Sequence, residues 1–171
     1  VYVNGVLEFD DFDFRTATPF GDVPAGVPLS VAVAPGNSTS VADAIATFPV
    51  GPLTANEAYV VVASGVLTPG NFATNPDAVN IAFNLYPFTP AQESGVNGTG
   101  NVDFLAFHGA TDAPSVDVVA RGVGTLVSSI TYGDFSGASY STAPEGAYYL
   151  DVNVAGTANT ATAVSILIID V

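Results

Sequence analysis

Apolar and polar residues alternate with a period of two along much of this chain. Over residues 27–34, Leu29, Val31 and Val33 fall on one face. Over residues 148–154, Tyr148, Leu150, Val152 and Val154 oppose Asp151 and Asn153. Over residues 79–88, Val79, Ile81, Phe83 and Leu85 oppose Asn80, Ala82, Asn84 and Tyr86. Such alternation predicts strands with one buried and one solvated face, as in antiparallel sheets. Further strands are predicted at 58–63, 102–108 and 116–119, and a helical pattern is confined to residues 40–46. Turn signals such as Asn4-Gly5, Pro35-Gly36-Asn37, Pro69-Gly70-Asn71 and Pro144-Glu145-Gly146 punctuate these runs. They recur about every 8–12 residues, the spacing of a β-sandwich or barrel.

The pattern also repeats. Pro24-Ala25-Gly26 and the strand after it lie 120 positions before Pro144-Glu145-Gly146 and its strand, and Phe20, Ala46 and Phe48 meet Tyr140, Ile166 and Ile168. We therefore expect an all-β chain of two tandem antiparallel sandwiches, immunoglobulin-like or transthyretin-like. Copy one is expected over 1–92, a linker over 93–101 and copy two over 102–171. On this reading copy one lacks the strand equivalent to 102–108, and copy two lacks the one equivalent to 58–63.

Composition narrows the function. Sixteen acids oppose two bases, Arg15 and Arg121, giving a net charge of −14. Such a chain repels nucleic-acid phosphates and anionic membrane surfaces. No apolar run approaches the ~20 residues that a membrane helix needs, so membrane insertion is not expected. Absence of cysteine removes disulfides, thiol catalysis and zinc–thiolate sites, and absence of methionine adds resistance to oxidation.

Residues 107–118, Phe-His-Gly-Ala-Thr-Asp-Ala-Pro-Ser-Val-Asp-Val, carry a more specific signal. This segment resembles the His-Ala-Ser-Pro-Asp-Ala-Pro-x-Val-Asp-Val signature of a family of secreted bacterial and archaeal repeats, domain of unknown function 4397. Gly109 and Thr111 depart from it. The family's later turns and last strand correspond here to Arg121-Gly122, Pro144-Glu145-Gly146 and Tyr59-Val60-Val61-Val62. The resemblance implies a surface-exposed β-sandwich without known catalytic activity.

Candidate chemistry is sparse. His108 is the single histidine, and its neighbours Asp112 and Asp117 suit loop-bracing hydrogen bonds better than a nucleophile relay. No Gly-x-Ser-x-Gly elbow is present, and no catalytic residue is expected. Glu8, Asp10, Asp11 and Asp13 form the dense acidic cluster. It reads first as a solvated strand face, with a bulge at Asp10-Asp11 turning Phe9, Phe12 and Phe14 inward. Its sharper reading is a calcium site, although no EF-hand spacing exists; otherwise no cofactor is expected. Asn37-Ser38-Thr39 and Asn97-Gly98-Thr99 are glycosylation triplets.

These features point to a non-enzymatic extracellular protein, a subunit of a filament or surface array joined head-to-tail by β-strand complementation. Val1, Tyr2, Val3 and Val6, with Ile166, Leu167, Ile168, Ile169 and Val171, are the segments expected at the subunit boundary. The expected partner is the chain itself. The alternative is an adhesion module for surface glycans or proteins, with Tyr86, Phe88, Tyr132, Phe135 and Tyr140 stacking on sugars.

Overall fold

Strands form where the alternation is cleanest. The computed structural model describes residues 1–157 and the backbone of strand 164–168. Twelve strands follow in order: β1 Tyr2–Val3, β2 Val6–Leu7, β3 Leu29–Val33, β4 Ala46–Val50, β5 Val60–Ser64, β6 Asn84–Phe88, β7 Asn101–Phe104, β8 Val116–Ala120, β9 Gly124–Ile130, β10 Ser141–Pro144, β11 Tyr148–Val154 and β12 Val164–Ile168. Every ladder between them is antiparallel. The helical pattern near residue 40 resolves to a single 3-10 turn, Val41–Asp43, started by a capping box between Ser40 and Asp43. The protein is all-β.

The chain divides into two compact units, Val1–Ala58 and Tyr59–Val171. The division falls earlier than the sequence repeat suggested, and β5 and β6 belong to the second unit. The segment read as a linker is fastened within that unit, because Glu145 N–H donates to Gly100 O at 2.8 Å and the Asn101 amide donates to Asn97 O at 2.9 Å. Of the long strand expected over 79–88, only Asn84–Phe88 pairs as a strand. The remainder makes an isolated parallel bridge, Val66 with Ala82. Gly65 permits it: at φ +111°, any Cβ would sit 2.6 Å from Ala82 O.

The first unit is one sheet in the order β2-β1-β3-β4. Asn4 and Gly5, both at positive φ, close β1 onto β2 as a two-residue hairpin. The second unit contains a sheet in the order β9-β8-β11-β12 and two-stranded sheets β5-β6 and β7-β10. Both four-stranded sheets therefore place a hairpin beside a third strand and a fourth beyond it. A largely apolar row crosses each: Val6, Val3, Val31 and Phe48 in the first, Val127, Val118, Val152 and Val164 in the second.

Burial corrects the repeat by one residue. A shift of 120 puts Leu29 on Tyr149, yet Leu29 is 5% exposed and Tyr149 58%. Leu150, 8% exposed, is the residue matching Leu29 in burial. The turns align at 120 and the strands at 121, and because side chains alternate, that single step decides which set faces inward.

Burial differs between the units. In the first, Tyr2, Leu29 and Ala32 are the buried apolar residues. In the second, Ala120, Val127, Ile130 and Leu150 are buried on the four-stranded sheet, together with Ile81, Phe88 and Tyr132. A seam of rings runs through it. Phe88 meets Tyr140 at 5.8 Å and Phe135 at 5.0 Å; Phe107 meets Phe135 at 5.0 Å and Tyr86 at 5.3 Å; Tyr132 meets Tyr86 and His108, each at 6.3 Å. Tilted and edge-on pairs of this kind contribute about 0.5–1.5 kcal/mol each beyond area burial. The aromatics considered for sugar stacking are thus packed on one another.

Candidate functional site

The loop bearing the histidine is built from backbone carbonyls and short polar side chains. His108 is 6% exposed. Its Nε2 lies 3.0 Å from Pro114 O, and its Nδ1 accepts from the Ala110 N–H at 3.3 Å. This pattern selects the neutral tautomer protonated at Nε2. Its backbone is held too, with Gly133 N–H donating to His108 O at 2.9 Å and His108 N–H donating to Asp134 O at 3.0 Å. Both ring nitrogens are committed to the loop.

The expected acid partners behave differently. Asp117 braces, accepting from Ser129 N–H at 2.7 Å and Gly156 N–H at 2.9 Å, and these bonds hold its carboxyl below the usual range. Asp112 lies exposed in the turn and is not among the bracing groups. Asn75 and Asp77 do that work instead. The buried Asn75 amide donates to Thr111 O at 3.1 Å and Ala113 O at 3.0 Å. Asp77 accepts from the Ser115 hydroxyl at 2.7 Å and N–H at 2.6 Å, and the Ser115 hydroxyl bond leads the lowering of its carboxyl. Serine, histidine and aspartate thus meet in one loop without a relay, since Ser115 Oγ donates directly to Asp77 and His108 is engaged with Pro114. The local signal for this clamp is Asn75-Pro76-Asp77, an Asx-turn sequence just before the alternating stretch 79–88.

Two further polar clusters hold the second unit together. Asp103 accepts from Asn97 Nδ2 at 2.6 Å, Thr142 Oγ1 at 2.7 Å and Val96 N–H at 2.8 Å. These bonds, the Asn97 amide first, pull its carboxyl down to about 2. Arg121 grips the buried Asp151 through Nε at 2.7 Å and a second nitrogen at 2.6 Å, and lies over the Tyr149 ring at 5.8 Å.

The acidic segment does not continue the strand. β2 ends at Leu7, and Asp11 takes a positive φ of 46°. Phe9 and Phe12 approach each other at 6.4 Å, while Phe14 is 89% exposed beneath Arg15. The bulged strand that would have buried all three phenylalanines is therefore corrected: the run lies in exposed loop. Among the described residues, no three His, Cys, Asp or Glu side chains stand close enough to hold one metal ion.

The segments expected at the subunit boundary fall in different settings. Tyr2 and Val3 lie inside the first sheet, between β2 and β3, so they are interior rather than free to cross. Val1 precedes them, and its amino group is bonded to Phe9 O. Val6 sits on the edge strand β2, exposed along with Leu7. Ile166, Leu167 and Ile168 lie in β12, which is an edge strand of its sheet; Ile169 and Val171 lie outside the described residues. Among the described residues no helix is long and apolar enough to cross a membrane. Comparison with family models, with curated proteins and with solved structures gives no match.

Proposed function

We propose that this chain is a non-enzymatic extracellular structural subunit that joins copies of itself head-to-tail through β-strand complementation, as the resemblance to secreted surface repeats also suggests. The observation that supports it most is the pair of apolar sheet edges: β2, with Val6 60% and Leu7 44% exposed, and β12, made of Val-Ser-Ile-Leu-Ile. An edge presents unpaired N–H and C=O groups that natural proteins normally blunt with charge or proline. Neither strand carries either, although the chain has charge to spare. An added strand from a second copy satisfies such an edge and covers apolar residues beside it. Two dissimilar edges joined across copies make a heterologous contact, which extends into a fibre instead of closing.

The test is analytical ultracentrifugation with electron microscopy over a range of concentrations. Wild-type protein is expected to form extended assemblies, and Val6→Lys combined with Leu7→Lys is expected to leave monomer with unchanged circular dichroism. A wild-type protein that stays monomeric at every concentration overturns the proposal.

A further inference from the structure

The two Asn-x-Thr triplets share a motif but not an environment. In the first, Asn37 is exposed in a tight turn closed by Ser38 N–H donating to Pro35 O at 2.9 Å. The residues after it are anchored. The Ser38 hydroxyl lies 3.1 Å from the Tyr2 hydroxyl, and Thr39 and Ser40 N–H groups donate to Asp43 at 2.8 and 3.2 Å. Among the described residues no hydrogen bond engages the Asn37 amide, and the side chain is exposed.

In the second triplet the amide nitrogen is in use. Asn97 Nδ2 donates to Asp103 Oδ1 at 2.6 Å and Thr142 Oγ1 at 2.8 Å, while Thr142 donates to the same carboxylate at 2.7 Å. A glycan would replace one of the two amide hydrogens. It would remove one bond of this triangle and press a sugar against Asp103 and Thr142, loosening the junction of β7 and β10.

We propose that Asn37, and not Asn97, carries an N-linked glycan in the native protein. The donor is a polyprenyl-diphosphate-linked oligosaccharide of the exporting host. The bond from the anomeric carbon to the diphosphate oxygen breaks as the bond from that carbon to Asn37 Nδ2 forms. One amide proton leaves, and the lipid diphosphate is the leaving group. A sugar here would stand on the first unit, whose surface is rich in exposed apolar residues. The inference rests on the extracellular reading, since such transfer occurs on exported chains.

Site-resolved mass spectrometry of protein purified from its native host tests it. A sugar mass on the peptide containing Asn37, with the Asn97 peptide unmodified, is the expected result. Unmodified Asn37, or a glycan on Asn97, overturns the proposal. Exported but sugar-free protein would defeat this inference while leaving the extracellular reading intact, whereas protein recovered only from the cytosol defeats both. Two variants separate the roles of the sites. Asn37→Gln should abolish the sugar mass and leave the melting of the second unit unchanged, and Asn97→Gln should lower that melting temperature and leave the sugar mass in place. The reverse pattern overturns the assignment.

Discussion

A row of four residues crosses each of the two four-stranded sheets, and their outer members diverge. Val6, at the outer end of the first row and beside its hairpin turn, is 60% exposed, while Val127, at the outer end of the second row and farther from its turn, is 4% exposed. The strands are alike in order and polarity, so intrinsic strand preference cannot account for the difference. What differs is the company each sheet keeps. The second belongs to a unit that also holds β5-β6, β7-β10 and the aromatic seam; the first belongs to a unit of one sheet with an exposed loop over residues 8–28. A sheet with one uncovered apolar face is a marginal structure in water. The second unit is therefore expected to be the more stable, and the first holds the exposed edge that the proposed assembly would use.

The sharpest way to break that assignment is to attack the seam. Phe88 is 7% exposed and touches both Phe135 and Tyr140. Phe88→Ala should destabilise the second unit by about 3–5 kcal/mol, the usual cost of deleting a buried ring. Hydrogen exchange read by mass spectrometry gives each unit its own opening free energy. Protection should collapse in peptides of β6, β9 and β11 and remain in β3 and β4. Equal loss in both units would show that they fold as one, with no separate stability for the second.

A gentler pair of substitutions asks the question at the outer ends of the two rows. Val127→Ala should cost about 1–2 kcal/mol, since it removes buried methyl groups from a packed site. Val6→Ala should change the stability of dilute protein by less than about 0.5 kcal/mol, as surface substitutions do. In assembled protein the Val6 variant should lose association. If Val6→Ala destabilises the dilute monomer as much as Val127→Ala, the first sheet is covered in solution and the comparison is wrong.

Much of this fold was legible in the sequence. Tyr148, Leu150, Val152 and Val154 specified β11, and Asn4-Gly5 specified a turn, because both signals are local. The division between units was not legible. Val60–Ser64 reads as a strand of the first copy but falls in the second unit, paired with β6, and which unit a strand joins is settled by long-range packing that no local period reports. The register slip had the same origin: Pro24 and Pro144 align the turns, while Leu29 and Leu150 align the faces, and only burial chooses between them. At the candidate site, His108 and Asp117 were readable as braces from their loop. Asn75 and Asp77 were not, lying 33 and 31 positions before His108 in sequence. The strand predicted through Glu8, Asp10 and Asp13 failed because alternation alone cannot hold a strand that has no neighbour beyond β2.

Acid should separate the units least forcefully, but with a sign that can be stated in advance. Asp77, Asp103 and Asp117 of the second unit are lowered by hydrogen bonds to their charged forms, and Asp43 in the capping turn of the first is lowered likewise. A carboxylate lowered on folding adds stability that is fully present above its unfolded value and is lost as pH falls through its folded one. For Asp103 that window runs from 3.8 down to about 2. Neutralising the other acids relieves self-repulsion over the same range, so the informative quantity is the difference between wild type and Asp103→Asn. That difference should be largest near neutrality, shrink across the window and vanish at its lower end, with exchange protection of β7 and β10 following it and β3 and β4 indifferent. A difference independent of pH would mean that Asp103 holds β7 to β10 by shape rather than by charge.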